Sequence, residues 1–301
     1  MTATDTAAIA AAVAALPPLR DVIAAHDLGA RKGLGQHFLL DLNLTARIVR
    51  AAGDLAGATV IEVGPGPGGL TRALLAAGAT RIVAIEKDKR CIAALQPLIE
   101  AARGRLILRE ADALEVDEAD LAPGPGVHIV SNLPYNVGTV LVIKWLAQIA
   151  ADPNRFAGLT LLLQKEVAAR LTAAPRSKAY GRLSVMCGWL TDAVVSFDIG
   201  ARAFTPPPKV DSTVVRLRPL PERRAKATWD EMETVLRTAF GQRRKMLRAS
   251  LKSLFGTDTE DILARNGIRD TARAEELSVA DFAALARERQ AGSATGPRAG
   301  A

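Results

Sequence analysis

The sequence predicts an α/β protein: a parallel sheet with helices on both faces, followed by a small all-α C-terminal domain. Three observations predict it. Short apolar runs alternate with helical stretches from Thr59 to Gln164, the rhythm of βαβ units. The runs are too continuously apolar for a sheet with one wet face, so helices must cover both sides. Beyond Pro219-Leu220-Pro221, apolar residues recur at helical spacing beside a stripe of cations. A chain of 301 residues, 49% hydrophobic and 24% charged, has the length for one large domain and a smaller one.

Residues 1–30 read as a helical arm, with Ile9, Val13, Leu16, Leu19, Val22 and Ile23 at helical spacing. The glycines of ARKGLGQHFL break it and open the large domain, 31–219. Within that domain TVIEVG is a strand, LTRALLAAG a helix closed by Gly78, and RIVAIEK a strand. CIAALQPLIEAA is helical, RLILREAD and GVHIVSN are strands, TVLVIKWLAQIA is a helix and GLTLLLQ a further strand. VVSFDI and STVVRLRP flank AFTPPPKVD and form a hairpin-like pair that finishes the sheet. Residues 220–290 are helical, with Leu236, Phe240, Leu247, Leu251 and Leu254 on one face. The small polar residues of 291–301 predict a disordered tail.

Composition narrows the function. No apolar run reaches the roughly 18 residues of a membrane span, and the alanine-rich N-terminus has Asp5 and no basic region, unlike a signal peptide. Two distant cysteines, Cys91 and Cys187, fit a reducing cytoplasm rather than a disulfide framework. Three histidines without paired spacing predict no metal site. The formal charge is +7, and Arg216–Lys252 holds eleven basic against four acidic residues. Such a block suits a polyanion, nucleic acid first, although a solvated charged face has the same composition.

Chemistry concentrates at the ends of four strands. Gly64, Gly66 and Gly69 of EVGPGPGG lie between a strand and a helix, where glycine lets backbone approach a ligand closely. They also satisfy GxGxxG, which leaves a nicotinamide dinucleotide open. Glu86 ends the next strand, where a carboxylate can hold a ribose diol. Asp112 follows the third strand and can accept from an adenine amino group, or simply cap a helical turn. Glycine loop, Glu86 and Asp112 together, with Glu62 and the prolines leaving little room for a pyrophosphate, favour S-adenosylmethionine as cofactor. The fourth strand ends in SNLPYN. There the Asn132 oxygen, with a carbonyl of Leu133 or Pro134, can accept both hydrogens of an adenine N6 amine and leave its lone pair facing a methyl donor. Tyr135 can stack on the base, worth about 1–3 kcal/mol. Positioning and charge stabilisation suffice, without a strong base.

The stretches KGLGQHFL, VIEVGPGPGGLT, AIEKDKR, EADAL, SNLPYNVGT, LLLQKEVAARL, SKAYGRLSV, FTPPPKVDS and FGQRRKMLRASL together resemble the ribosomal RNA adenine dimethyltransferase family, from about Leu19 to about Phe282. They are similar in particular to its bacterial small-subunit branch. The resemblance implies a Rossmann-like class I S-adenosylmethionine methyltransferase sheet. It further implies methylation at N6 of two adjacent adenosines in the 3′-terminal hairpin of 16S rRNA, within an immature small subunit, by a monomer. Large-subunit methylation of the macrolide-resistance type is the enzymatic alternative, and a mainly non-catalytic ribosome-assembly checkpoint the other. A DNA adenine methyltransferase is disfavoured, because nothing reads duplex DNA.

By the same resemblance, His37, Leu39, Gly64, Glu86, Asp112 and Asn132 border the donor. Asn132, Pro134 and Tyr135 hold the target, and Phe204 covers the other face of the base unless it is a core aromatic. Arg237, Arg243, Arg244, Lys245, Arg248 and Lys252 grip RNA phosphates. Two positions depart from the family: His37 where asparagine is common, and Gly138 where serine is common.

Overall fold

The computed structural model describes residues 3–29 and 35–295. The Lys32-Gly33-Leu34 part of KGLGQHFL and residues 296–301 lie outside them. The chain forms two compact units, one of residues 1–168 and 194–219, the other of 169–193 and 220–301.

The described residues hold nine strands, all in the first unit except the first three residues of the seventh: β1 (Phe38–Leu39), β2 (Thr59–Val63), β3 (Arg81–Glu86), β4 (Leu106–Glu110), β5 (Val127–Asn132), β6 (Phe156–Gln164), β7 (Thr191–Ile199), β8 (Phe204–Thr205) and β9 (Ser212–Pro219). Seven of them form one sheet in the order β4-β3-β2-β5-β6-β9-β7, while β1 and β8 pair separately. The pairs β4–β3, β3–β2, β2–β5 and β5–β6 are parallel, and β9 runs antiparallel to β6. The predicted α/β sheet is thus present, with its late strands turning it into a mixed one.

The order carries functional weight. From β2 the chain steps outward to β3 and β4, then returns to the other side of β2 as β5. The loops after β2 and β5 therefore diverge and leave a crevice at the carboxyl ends of the strands. The strands are apolar on both faces because both are buried: Val60, Ile61, Ile82, Val83, Ala84, Ile129 and Val130 are all sealed from solvent.

The predicted N-terminal arm is not separate. Helix Ala3–Ala14 packs on helix Gly69–Ala76, and its Ile9 and Val13 enter the same core cluster as Val60, Leu74 and Ile82. Burying those side chains, at about 1.5–3 kcal/mol each, is what ties the arm to the sheet unit. A buried polar network stands behind the site. Glu118, 0% exposed, accepts from Lys144 Nζ at 2.9 Å, Trp145 Nε1 at 2.7 Å and Gln148 Nε2 at 2.6 Å. Lys144, on helix Gly138–Ala151, also donates to the carbonyls of Ala113 and Val116. The segment after β4 is thereby fastened to the helix after β5.

The second unit begins earlier than the predicted boundary at residue 220. It includes 169–193 with helix Arg182–Leu190, because Trp189 and Tyr180 belong to its core. Trp189 Nε1 donates to the Ala225 carbonyl at 2.7 Å, and the Tyr180 hydroxyl donates to the Leu277 carbonyl at 2.8 Å. Phe240 stacks between Tyr180 and Phe282, with ring centroids 6.1 and 5.5 Å away. The apolar face expected from Leu236 to Leu254 is not one helix. Helix Trp229–Gly241 stops, a turn follows, and short helices Leu247–Ser250 and Lys252–Phe255 resume. At the other end, 291–295 is helical rather than tail, closing helix Val279–Thr295.

Candidate active site

One cavity collects the ends of β2, β3, β4 and β5. Backbone forms its floor. Gly64 has φ +67°, and a Cβ there would fill space beside the Pro134 ring, 3.5 Å from Cγ. Gly66 has φ +57°, and a Cβ there would lie 2.8 Å from the Phe38 ring. Both positions therefore favour glycine for their backbone conformation, and Gly66 requires it for room as well. The Ser131 hydroxyl donates to the Val63 carbonyl at 2.6 Å and holds the end of β5 against the end of β2.

Glu86 is 6% exposed, and burial raises its carboxyl above the ordinary range. Its Oε1 accepts the backbone N–H groups of Lys87 and Asp88, both at 2.9 Å. Among the described residues its Oε2 accepts only the longer bond from Gly66 N, at 3.3 Å. Oε2 is the oxygen with acceptor capacity toward the cavity. Asp112 combines both readings of it. Oδ1 accepts from Leu114 N at 3.0 Å, a turn-forming bond, while Oδ2 accepts from Lys87 Nζ at 3.0 Å. The Leu114 N–H and the Lys87 ammonium hold its carboxyl below the usual range, so it is an anionic acceptor on the wall.

Glu62, expected only to crowd out a pyrophosphate, lines the cavity beneath the glycines. It is 1% exposed, and its sole hydrogen bond among the described residues comes from the Thr71 hydroxyl at 2.7 Å. Burial first, with the nearby Glu86 charge adding, pushes its carboxyl up to about 8, so it is protonated at neutral pH. The sequence shows a glutamate on an apolar strand, and only the neighbours decide its charge.

The acceptor side is narrower than expected. Asn132 Nδ2 donates to the His37 carbonyl at 3.1 Å across 95 positions of chain. That bond fixes the amide so that Oδ1 remains as its acceptor. The Pro134 carbonyl already receives Gly138 N at 3.0 Å and Val137 N at 3.2 Å, as the following helix begins. Of the two carbonyls considered for the target amine, Leu133 is thus the one left. The Tyr135 hydroxyl is hydrogen-bonded to Ser212 Oγ, and its ring packs 5.0 Å from the His37 imidazole, centroid to centroid. The imidazole Nδ1 lies 2.8 Å from the Pro206 carbonyl. A second cavity opens on the far side of His37 and Tyr135, walled by Gln164, Lys165 and the Pro206–Lys209 stretch.

Leu39 lines the donor cavity, but Phe204 does not. Phe204 is 2% exposed and packed in the core cluster with Leu39, Ile48 and Val214. Its place opposite Leu39 in the β1–β8 pair turns the ring inward, so the expected cover over the base is corrected to a core aromatic. Gly138 begins its helix in tight surroundings: a Cβ would lie 3.2 Å from Leu163 Cδ2. In the second unit, Arg243 pairs with Glu275 at 2.9 Å and Arg248 with Asp270 at 3.1 Å. Arg237, Arg244, Lys245 and Lys252 are exposed, with no ion pair among the described residues. No group of three or more candidate metal ligands occurs among the described residues.

A glycine floor at the switch point of a seven-stranded sheet, with acidic groups on the next two strand ends, defines a class I S-adenosylmethionine-dependent methyltransferase. The donor set fits that molecule: Glu86 Oε2 suits a ribose diol, Asp112 an amino group, and the Phe38 and Pro134 rings its apolar parts. Residues 28–290 match the family model described as ribosomal RNA adenine dimethylase, and the chain belongs to that family. It is 56% identical over 288 residues to the ribosomal RNA small subunit methyltransferase A of Azorhizobium caulinodans, covering 95% of this chain and 98% of that one. Its identity to the protein of the same name from Paramagnetospirillum magneticum is 57% over 275 residues, covering 91% and 95%. Among solved structures, a dimethyladenosine transferase from Plasmodium falciparum shares the fold, with TM-score 0.68, 24% identity and coverage of 85% and 98%. The 23S rRNA methyltransferase ErmE aligns with TM-score 0.62, 26% identity and coverage of 84% and 98%.

Proposed function

We propose that the protein methylates N6 of two adjacent adenosines in the 3′-terminal hairpin of 16S rRNA, acting as a monomer on an immature small subunit in the cytoplasm. One observation carries the reading: among the described residues, Asn132 is held by the His37 carbonyl with its Oδ1 left as acceptor, and of the Leu133 and Pro134 carbonyls beside it Leu133 is left. Two acceptors suit an exocyclic amine with two hydrogens. The small-subunit name of relatives at 56% and 57% identity supports the choice of RNA, against 26% for the large-subunit enzyme. Two free, buried cysteines support a reducing compartment.

The donor supplies an electrophilic methyl group on its sulfonium. The chain's own residues do the rest. The glycine floor and Glu86 hold the donor, Asp112 selects its base, and Tyr135 offers a ring to the target adenine. Asn132 Oδ1 and the Leu133 carbonyl take the N6 hydrogens, which draws the nitrogen out of conjugation and aims its lone pair. The target must leave its stack first, a cost of a few kcal/mol that is smallest in a loop. Arg237, Arg244, Lys245 and Lys252 are cations available for phosphates, joined by Arg243 and Arg248 once their carboxylate partners are displaced.

The test is to incubate the protein with labelled donor and either naked 16S rRNA or immature small subunits, then map dimethyladenosine. Label at the paired adenosines of immature subunits, and little on naked RNA, is the expected result. Label in large-subunit RNA, or none in either substrate, overturns it.

A further inference from the structure

We infer that Lys144 is a positioning residue of the donor site: it fixes the peptide that aims Asp112 at the donor's adenine amino group. Lys144 stands outside the residues that line the donor cavity, on helix Gly138–Ala151, which starts directly after the SNLPYNV stretch. From there its ammonium donates to the Ala113 carbonyl at 2.8 Å, to the Val116 carbonyl, and to Glu118 Oε1 at 2.9 Å. An ammonium has three hydrogens, so all of them go to the segment after β4.

The Ala113 bond reaches the donor site. A carbonyl and the N–H of the next residue belong to one rigid plane, here the Ala113 C=O and the Leu114 N–H. Lys144 holds the oxygen side of that plane. On the opposite side Leu114 N donates to Asp112 Oδ1 at 3.0 Å. One peptide thus transmits the grip of Lys144 to the carboxylate. With Oδ1 committed, Oδ2 is the oxygen that meets a ligand, and it has room for a second donor beside Lys87 Nζ. The Leu114 N–H, then the Lys87 charge and last the Lys144 charge hold the Asp112 carboxyl below its usual range. Ala111, Asp112 and Ala113 all line the donor cavity.

Glu118 makes the grip stiff. It is sealed from solvent and also accepts from Trp145 Nε1 and Gln148 Nε2, both on the same helix as Lys144. Lys144 cannot swing into water without leaving that buried carboxylate short of its cation. The helix begins where the Pro134 carbonyl accepts Gly138 N at 3.0 Å. One helix therefore holds the donor's base subsite at Asp112 and the Leu133–Val137 turn at fixed separation, which keeps the donor's methyl group in register with that turn.

The test separates this role from a general loosening of the fold. Lys144→Met alone strands Glu118, so it is combined with Glu118→Gln, which removes both charges and keeps the shapes. Calorimetry measures the Kd of S-adenosylhomocysteine, the demethylated donor, and of S-inosylhomocysteine, in which an oxygen replaces the adenine amino group. The native protein should prefer the first by at least about tenfold, the worth of one hydrogen bond to a charged group. In the double variant S-adenosylhomocysteine should bind about tenfold more weakly and S-inosylhomocysteine nearly as before, so that the preference shrinks to within about threefold. Gln148→Leu is the control, because Gln148 bonds to Glu118 but to neither Ala113 nor Val116. Its melting temperature should fall while the preference stays.

Equal weakening of both ligands in the double variant, an unchanged preference there, a preference lost in Gln148→Leu, or none in the native protein overturns the assignment. Should the double variant fail to fold, the native protein decides. Its Leu114 amide should exchange with solvent at least about tenfold more slowly than the Ala113 amide, which has no acceptor among the described residues. Equal rates would show that the peptide is not held, and the inference falls. None of these measurements uses RNA, so a protein that labels no rRNA sinks the functional reading and leaves Lys144 to be judged by its ligands.

Discussion

Replacing Glu62 with glutamine should remove a pH-dependent weakness from the core. The carboxyl is sealed under the glycine floor with one hydroxyl partner among the described residues, and burial lifts it from 4.5 to about 8. A native state that holds its proton more tightly than the unfolded chain loses stability as pH rises through that window. The interval between 4.5 and about 8, at about 1.4 kcal/mol per pH unit, amounts to about 5 kcal/mol between acid and alkaline limits. Most of it falls between pH 5 and 8. Glutamine keeps the shape and can accept from Thr71 without ever ionising. Thermal unfolding of the full-length native and Glu62→Gln proteins, each from pH 5 to 9, measures the effect. The melting temperatures should nearly coincide at pH 5 and separate progressively, with the native protein about 10 °C lower by pH 8 at roughly 2–4 °C per kcal/mol. A constant separation across that range would show that Glu62 is ionised in the folded protein and refute the reasoning.

Three further outcomes follow from the geometry. Asn132→Ala should lower kcat at least a hundredfold while RNA binding, read by filter retention, survives; normal dimethylation in the variant would remove Asn132 from the chemistry. Lys144→Met should destabilise by about 3–5 kcal/mol in denaturant titration, because it strands the buried Glu118 carboxylate without its cation. Reversing charge at both Arg244 and Lys245 should weaken RNA binding and reduce its logarithmic salt slope by about two, roughly one per phosphate contact.

The sheet was readable because its signals are local: continuous apolar runs, helical stretches between them and glycine at helix ends. So was the meeting of Gly64, Glu86, Asp112 and Asn132 at one cavity, since strand ends of one sheet open on one crevice whatever the details. Phe204 was less accessible, because an aromatic at a strand end can face a ligand or a core. Its two-residue pairing with β1 decides this, over 160 positions away in sequence. Glu62 resisted for a related reason, since a residue's charge state belongs to its surroundings. The cations between Arg237 and Lys252 were visible as composition, but their division depends on distant partners. Glu275 and Asp270 occupy two of them, while a break after Gly241 splits the face that periodicity joined. Residues 169–193 were assigned by proximity in sequence, whereas Trp189 and Tyr180 join the helical core through contacts with 225–285.

The pairing of β1 with β8 also has a consequence in time. Phe38 and Leu39 emerge early in synthesis, but their partners Thr205 and Phe204 follow more than 160 residues later. At about 5–20 residues per second, that is a wait of roughly 10–30 s. During it the growing chain already contains Glu62, Glu86, Asp112 and Asn132, yet the strand that carries His37's neighbours has nothing to pair with. Pro206, which orients the imidazole, arrives later still. A nascent chain halted before residue 204 would hold every residue that lines the donor cavity and still lack the strand that holds Phe38 and Leu39 in place. Competence to bind donor should therefore switch on near the two-thirds point of translation.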